Sequence, residues 1–161
     1  MSAVVGADDY VAIASLVHRY ADAVVHRDAS QWGECWAEDA HWELAPGRGV
    51  DGRQAIVELW LSAMGAYGSV VQTVQNGTAW YLHGAVDHAA GRWYINERFA
   101  RVDGDRGILL AHYDDTYVRR ADGWQFASRA LTIHYRGPAD LSAEFASTAE
   151  GLRARGASPD V

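Results

Sequence analysis

Residues Gly107–Gly137 read GILLAHYDDTYVRRADGWQFASRALTIHYRG, and this stretch decides the fold. Two long runs rich in β-branched and aromatic residues flank Arg120-Ala121-Asp122-Gly123, an Asp-Gly turn typical of a β-hairpin. Because alternate side chains of a strand share a face, the second run places Arg129 on a face that is otherwise apolar, with Leu131, Ile133 and Tyr135. An unpaired buried charge is costly, so Arg129 needs a polar or anionic partner.

Composition restricts the classes of protein that this chain can be. At 161 residues, with 49% hydrophobic residues, it fits one domain that buries a substantial core. The formal net charge is −7 without a dense basic cluster, so neither nucleic acid nor an anionic membrane is expected as a partner. No apolar run reaches the length of a membrane span, and Met1–Asp9 lacks the features of a signal peptide, so we expect a cytoplasmic location. The single cysteine, Cys35, excludes an internal disulfide.

Helical periodicity dominates the first part of the chain. Apolar residues repeat at spacings of three and four before residue 27, and a helix cap candidate precedes each of three helical stretches. The predicted helices, with their capping residues, are about 9–27 (Asp8 or Asp9), a short helix holding Trp32, Cys35 and Trp36 (Asp28), and about 52–67 (Asp51).

Strand periodicity dominates from Ser69 onward. The predicted strands are His41–Leu44, about 69–83, about 92–102 and the two arms of the hairpin. Asn76-Gly77 indicates either a turn or a bulge within the predicted strand at about 69–83. Helices followed by long antiparallel strands predict an α+β architecture. Beyond Pro138, the residues from Asp140 to Arg155 are expected to form a peripheral helix or to be partly disordered.

Two motifs resemble those of SnoaL-like proteins, which belong to the nuclear-transport-factor-two-like superfamily. The first is Trp32 followed by Trp36-Ala37-Glu38-Asp39-Ala40-x-Trp42 after the first helix. The second is Tyr113-x3-Tyr117-x-Arg-Arg-x-Asp-Gly-Trp124-x-Phe126-x2-Arg129, followed by His134-Tyr135. The resemblance implies a cone-shaped domain in which a strongly curved, mixed or antiparallel sheet wraps around about three N-terminal helices and encloses a pocket. It implies one such domain over 1–161, with a core of about 9–137 and a peripheral or partly disordered tail, 138–161.

The resemblance also implies a pocket and an interface. The family includes scytalone dehydratase and hexachlorocyclohexane dehydrochlorinase, and the outer sheet surface of its members often makes a homodimer or homotrimer. In this chain, His112 and His134 are predicted to face that outer surface. The pocket implied by the resemblance is lined by Tyr20, Trp42, Val71, Thr73, Gln75, Tyr94, Asn96, Leu109, Ala111, Tyr113, Arg129, Leu131 and Ile133.

The sequence departs from the family at the residues that carry its chemistry. The dehydratases and the dehydrochlorinase use a His base that is held by an Asp at the end of the first helix. In this sequence the corresponding positions are Gln75 and Val25, and neither side chain can act as a base. The dyad is therefore not carried over.

Other polar groups of the predicted pocket are left to carry a reaction. A guanidinium close to a phenol lowers the pKa of the phenol, so an Arg–Tyr pair can perform acid–base work. An amide can donate to an oxyanion, typically contributing about 3 kcal/mol per well-placed donor. No metal or organic cofactor is required for such chemistry. The candidate catalytic residues are Tyr20, Tyr113, Arg129, Asn96 and Gln75; the candidate substrate-binding residues are Trp42, Thr73, Tyr94, Leu109, Leu131, Ile133 and Val71.

Several assignments stay open in the sequence alone. The partner of Arg129 is Asp115, Glu97, a nearby phenol or a substrate. His18, Asp22 and His26, each four residues apart, indicate either a metal site on one helix face or a solvated polar face, and the absence of other nearby ligands favours the latter. Two functions follow: a cofactor-independent lyase or isomerase for a hydrophobic aromatic or polycyclic small molecule, or a non-catalytic module that binds such a molecule.

Overall fold

The computed structural model describes residues 3–146. Three helices precede or interrupt the first strands, and four long strands follow them. The elements are α1 (Ala7–His26), α2 (Ala29–Glu34), β1 (Trp36–Ala45), β2 (Arg48–Asp51), α3 (Arg53–Met64), β3 (Tyr67–Tyr81), β4 (His88–Arg101), β5 (Arg106–Arg120) and β6 (Gly123–Gly137). Within residues 3–146, none of the helices combines the length and the hydropathy that a membrane crossing requires.

One open sheet carries all six strands, in the order β2-β1-β6-β5-β4-β3. The pairing of β1 with β6 is parallel and the other pairings are antiparallel, so the sheet is mixed. Helix α1 packs against β3 and β6, and α3 packs against β1. The predicted α+β architecture, with three helices on a mixed sheet, is confirmed.

The β5–β6 hairpin forms the centre of this sheet. Its arms pair from Ile108 with Gly137 to Arg120 with Gly123, across a two-residue turn. Gly123 has a φ of 111°, a conformation that a residue with a side chain rarely adopts. The register shifts between Leu110 and Ala111 on β5, which leaves one extra residue on β6 before Tyr135. Because such a bulge reverses the alternation, Tyr135 lies on the face opposite Ile133, and the prediction that they share a face is wrong.

Aromatic rings fill the space between the helices and the inner face of the sheet. The predicted apolar stripe of α1 is buried throughout: Ile13, Leu16, Val17, Tyr20 and Val24. Trp32 of α2 stacks on Trp60 of α3 with ring centroids 4.6 Å apart, and it contacts Trp36 and Trp42 of β1 at 5.4 Å. Such aromatic pairs stabilise by about 0.5–1.5 kcal/mol each beyond the burial of their surface.

The helix caps differ from the sequence prediction at two of three positions. Asp28 caps α2 as predicted, since its side chain accepts a hydrogen bond from the Gln31 backbone. Helix α1 instead begins after Gly6, and α3 begins after Gly52, in both cases without a side-chain cap. Asp51 is hydrogen-bonded to the His41 ring, across the β1–β2 pair, so its carboxylate is engaged in the sheet.

The side chains of β3 and β4 that face the core also differ from those predicted. On β3, Val70 and Gln72 are buried, whereas the residues predicted to line the pocket are exposed: Val71, Thr73 and Gln75. On β4 the large buried residues are Trp93, Ile95 and Phe99, which places Tyr94 and Asn96 on the outer face. Both faces of these strands carry apolar and polar residues, so alternation alone did not select the buried face. The register shift between Val74 and Gly77 confirms the bulge alternative at Asn76-Gly77.

The last described residues, 138–146, follow β6 without forming a helix. The Tyr135 hydroxyl donates to the Pro138 carbonyl and accepts from the Ala143 amide, and its ring lies 4.6 Å from that of Phe145. This segment therefore packs on the outer side of β6. The rest of the predicted peripheral helix lies outside the described residues.

Asp9 joins the first turn of α1 to three strands. Its carboxylate accepts hydrogen bonds from Tyr81 of β3, from Arg119 of β5 and, at 3.2 Å, from the indole of Trp124 on β6. Burial raises the pKa of Asp9, but these donors outweigh burial, so the pKa of Asp9 lies below its ordinary value. The ionised carboxylate thus stabilises the packing of α1 on the sheet.

We expect Asp9→Asn to lower the free energy of unfolding by about 1–2 kcal/mol at pH 7, because one acceptor serving three donors is replaced. Since the pKa of Asp9 is depressed in the folded state, this contribution is present above the unfolded value of about 3.9 and disappears as the pH falls through the folded value. Urea denaturation at pH 7 and below pH 4 measures both effects.

Asp8→Asn provides the matched control, since Asp8 lies in the same turn with an exposed side chain. Equal losses for the two variants at pH 7 would contradict the assignment of Asp9.

Candidate functional site

A buried ion pair lies at the closed end of the inner sheet face. The Arg129 guanidinium donates from Nε to Asp115 Oδ1 at 2.8 Å and from Nη2 to Asp115 Oδ2 at 2.9 Å. The Tyr117 hydroxyl donates to Asp115 Oδ2 at 2.8 Å. Arg129 and Asp115 are 1% and 3% exposed. The partner of Arg129 is therefore Asp115, its cross-strand neighbour, and not Glu97.

Three aromatic rings surround the Arg129 guanidinium. Its Cζ lies 3.9 Å from the ring centroid of Tyr113, 4.1 Å from that of Phe126 and 4.2 Å from that of Tyr20. Burial lowers the pKa of Arg129, but the Asp115 carboxylate outweighs burial and raises that pKa above its ordinary value. Arg129 is thus a permanently charged group that is neutralised by Asp115 and held between rings.

The two phenols beside Arg129 are neutral donors. Burial raises the pKa of Tyr113 well above its ordinary value, and it also raises the pKa of Tyr20, although Arg129 acts in the opposite direction on both. As predicted, Arg129 acts to lower the pKa of both phenols, but desolvation of the phenolate exceeds the attraction of a guanidinium that Asp115 already neutralises. Both hydroxyls stay protonated at neutral pH and can donate.

The inner face opens as it runs away from the ion pair. Going from Arg129, the next inner positions of β6 are Leu131, which is half-buried, and Ile133, which is 40% exposed. Their cross-strand partners on β5 are Tyr113 and Ala111, both buried. Trp42 of β1 lies beside Arg129, and its indole Nε1 is buried without a hydrogen-bond partner among the described residues. The inner face therefore has an apolar floor, with hydrogen-bond donors at its closed end.

Glu97 is the acidic group on the open part of this floor. It lies on β4 between Leu109 of β5 and Gln72 of β3, and Gln72 Nε2 donates to Glu97 Oε2 at 2.9 Å. Burial raises the pKa of Glu97, although the Gln72 hydrogen bond and the charge of Arg136 oppose that shift. Sequence reasoning considered Glu97 only as a partner for Arg129. The sequence indicated a further role for Glu97 because it is a single carboxylate that alternates with the apolar residues Trp93, Ile95 and Phe99.

A groove of about 350 Å³ runs between α1 and β3 and reaches Gln72. Val25, at the position where the family resemblance would place an aspartate, lies in its wall, and His18 and Asp22 line its rim. Asp22 accepts from Gln31 Nε2 and forms an i,i+4 contact with His26. Among residues 3–146, no three His, Cys, Asp or Glu side chains are placed to share a metal ion.

The outer face of the sheet holds a separate polar cluster. The rings of Tyr94, His112 and His134 contact one another, and His112 is hydrogen-bonded to His134 and to Asp114. Thr73 also lies on this side and donates to the Asn96 carbonyl. Of the twelve predicted site residues, five are on this face and away from Arg129: Val71, Thr73, Gln75, Tyr94 and Asn96. The seven on the inner side are Tyr20, Trp42, Leu109, Tyr113, Arg129, Leu131 and Ile133.

A larger groove, of about 780 Å³, lies near the β5–β6 turn. Its walls are mostly charged, and two of its arginines are paired, Arg19 with Glu34 and Arg120 with Asp39. These walls do not suit a hydrophobic molecule. Cys35 offers no nucleophile either, because burial raises the pKa of its thiol to about 11.

We expect Arg129→Met to lower the free energy of unfolding by about 3–5 kcal/mol, because it leaves the Asp115 carboxylate buried without its cation. The double variant Arg129→Met/Asp115→Leu is expected to lose less than Arg129→Met alone, since it removes both charges. Chemical denaturation measures both. Arg120→Met is the control, and its exposed pair with Asp39 should be worth less than about 1 kcal/mol. A small loss for Arg129→Met would contradict the assigned structural role.

Comparison with known proteins identifies the fold family. Residues 6–130 match the family described as SnoaL-like domain. No curated protein matches this sequence. Among solved structures, a type 2 hexachlorocyclohexane dehydrochlorinase (LinA) has a TM-score of 0.75 and 19% identity over 88% of this chain and 95% of its own. The LinA-type3 dehydrochlorinase from Novosphingobium barchaimii LL02 has a TM-score of 0.74 and 18% identity, covering 87% and 95%.

A scytalone dehydratase candidate from Novosphingobium aromaticivorans DSM 12444 is similar to the same extent, with a TM-score of 0.74 and 19% identity over 87% of this chain and 92% of its own. At these identities the likeness shows the fold alone. The resemblance inferred from the Trp36–Trp42 and Tyr113–Arg129 motifs is confirmed by the match over residues 6–130: the chain belongs to the SnoaL-like domain family.

Proposed function

We propose that this protein is a cofactor-independent lyase or isomerase acting on a hydrophobic aromatic or polycyclic small molecule. The observation that carries the proposal is the pair of neutral phenols, Tyr113 and Tyr20, at the closed end of an apolar inner face. A donor that stays protonated in a dry site is suited to polarising a carbonyl or phenol oxygen. The dehydrochlorinase and dehydratase names of the structural neighbours support the same class of reaction.

Each inner residue takes a role in this proposal. Tyr113 donates to the substrate oxygen, and Tyr20 supports Tyr113 from the neighbouring helix, with ring centroids 5.9 Å apart. Arg129 is a positioning residue, since its Nε and Nη2 donate to Asp115 and its guanidinium lies between the two rings. The substrate packs on the apolar residues Trp42, Leu109, Leu131 and Ile133. The outer residues Val71, Thr73, Gln75, Tyr94 and Asn96 take no part in it.

We also propose a cellular location and an assembly. A cytoplasmic location is expected from composition. A homodimer or homotrimer through the outer face is supported by the exposure of Val71 and Tyr94, at 46% and 36%. Sedimentation velocity of the full chain measures the assembly, and a monomer at all concentrations would contradict it.

We expect Tyr113→Phe to lower kcat by about 10²–10³-fold, because one donor to the developing oxyanion is removed. The measurement follows turnover of a panel of aromatic alcohols, steroids and polyketide-like ketones by product analysis. Tyr94→Phe is the matched control, because the Tyr94 ring lies on the outer face against His112, and it should leave turnover unchanged. Unchanged kcat in Tyr113→Phe would contradict the proposed mechanism.

A non-catalytic binding module is the second candidate. The observation that favours it is that the Arg129 guanidinium is already neutralised by Asp115, which leaves the closed end without a strong acid or base. In that case panel compounds would bind, with affinity reduced by Tyr113→Phe, and no product would form. Calorimetric binding together with product analysis separates the two functions.

A further inference from the structure

The closed end of the site offers hydrogen-bond donors but no free base. Elimination and isomerisation both require a base that removes a proton from carbon or oxygen. Tyr20 and Tyr113 are protonated, and Asp115 is occupied by Arg129 and Tyr117. The base has to come from another part of the inner face.

Glu97 is placed to fill this role. The geometry points to Glu97 as the general base of the inner face, held by Gln72 and serving an extended hydrophobic substrate whose oxygen is bound by Tyr113. The inference rests on the proposed function, because it assumes that this face binds such a substrate.

The immediate surroundings of Glu97 leave its carboxylate free to react. Within the described part of the chain, Gln72 is the side chain that hydrogen-bonds it, and no arginine or lysine lies within salt-bridge distance. The guanidinium of Arg136 is directed to the Phe99 ring, with its Cζ 5.1 Å from the centroid. A structural carboxylate on an apolar face would be expected to have a cation beside it, as Asp115 has.

Gln72 fixes one carboxylate oxygen and thereby the orientation of the group. It is 7% exposed, and its Nε2 donates to Oε2, so a proton is most readily taken by Oε1. An amide neighbour orients the carboxylate without exchanging a proton with it. A neutral neighbour depresses the pKa of a general base less than a cation at the same distance would, and burial of Glu97 outweighs both the Gln72 hydrogen bond and the charge of Arg136.

Glu97 and Tyr113 lie at two ends of one apolar surface. Leu109, the cross-strand partner of Glu97, is four residues from Tyr113, which corresponds to roughly 13 Å of strand. Both residues lie on the inner face, and the charge of Glu97 contributes to the raised pKa of Tyr113. Small Ala111 lies between them and is buried. The proposed substrate, a bicyclic or polycyclic molecule, extends along this span.

The proton-transfer step is balanced by groups on this face. The Glu97 carboxylate takes a proton from the carbon next to a carbonyl, and the electron pair of the broken C–H bond forms the C=C bond of an enolate. The carbonyl oxygen receives the charge and accepts the Tyr113 hydrogen bond. In an elimination, the enolate oxygen re-forms the carbonyl and the C=C electron pair forms a new double bond between the α and β carbons. The leaving group departs from the β carbon with its bonding pair, and Glu97 passes its proton to the leaving group or to solvent. In an isomerisation, the proton returns to another carbon.

Hydrogen–deuterium exchange tests this step without a known substrate. We expect the protein to accelerate exchange of the α protons of 2-tetralone, a hydrophobic bicyclic ketone, in D₂O, as followed by proton NMR. Glu97→Gln should slow the enzymatic exchange by about 10²–10⁴-fold. Glu58→Gln is the matched control, because Glu58 is an exposed residue of α3 that bonds only Gln54 among the described residues, and it should exchange as the wild type does.

Thermal unfolding separates a catalytic from a structural role. Because burial raises the pKa of Glu97 in the folded state, ionising it destabilises the fold as the pH rises through that pKa, and a neutral glutamine removes this penalty. Glu97→Gln should therefore melt at the same temperature as the wild type or higher at pH 7. A marked drop in Tm would show that Glu97 is held for structure and would overturn the inference.

The remaining outcomes are decisive as well. Equal exchange by Glu97→Gln and wild type, or no acceleration by the wild type, overturns the assignment of Glu97. Exchange that depends on Glu97 while no panel compound yields product supports the assignment and contradicts the proposed lyase or isomerase function. Product formation that survives Glu97→Gln supports that function and rejects Glu97 as its base.

Discussion

The bidentate pair between Asp115 and Arg129 is the constraint on which the inner face depends. Its two charged groups are almost fully buried in the central hairpin, at distances of 2.8 and 2.9 Å. A buried pair contributes little to stability compared with apolar residues of the same size, but the loss of one partner is strongly destabilising. The pair therefore fixes the register of β5 against β6 and the positions of the rings that surround it, Tyr20, Tyr113 and Phe126.

This pair also determines what chemistry the surrounding phenols can perform. A free guanidinium would favour phenolate at Tyr113, whereas a neutralised guanidinium leaves desolvation as the dominant influence on the pKa. The closed end of the site is consequently a set of neutral donors around a neutral ion pair. Farther along the face the exposed fraction rises toward Ile133, and the Glu97 carboxylate, whose pKa is raised by burial, lies there.

The two faces of the sheet differ in their polar groups. Inside, few polar side chains are hydrogen-bonded to one another, as Gln72 is to Glu97, and the buried indole Nε1 of Trp42 has no partner among the described residues. Outside, hydrogen bonds connect four side chains in a row: Arg92, Asp114, His112 and His134. The Tyr94 ring packs against the His112 ring, which in turn packs against the His134 ring. A one-residue shift in a strand moves its inner side chains to the outer face and its outer side chains to the inner face. The orientation of β3 and β4 therefore determines which of their residues belong to the site.

The amino-acid sequence was sufficient to predict the architecture and the position of the hairpin. Helical spacing placed α1, the Asp-Gly turn placed the β5–β6 hairpin, and the Trp and Tyr–Arg motifs indicated the family, since these signals are local and consist of residues near one another in the chain. It also identified Tyr20, Tyr113 and Arg129 as neighbours on the inner face.

Only the tertiary structure decided the partner of Arg129, the protonation of the phenols and the inner face of β3 and β4. Asp115 and Glu97 were equivalent candidates in the sequence, and the cross-strand register separated them. The alternation of β3 and β4 was ambiguous because both faces carry apolar residues, and packing against α1 resolved it. The pKa directions depend on burial and on the distances between charges, which are properties of the assembled chain and not of any segment of it.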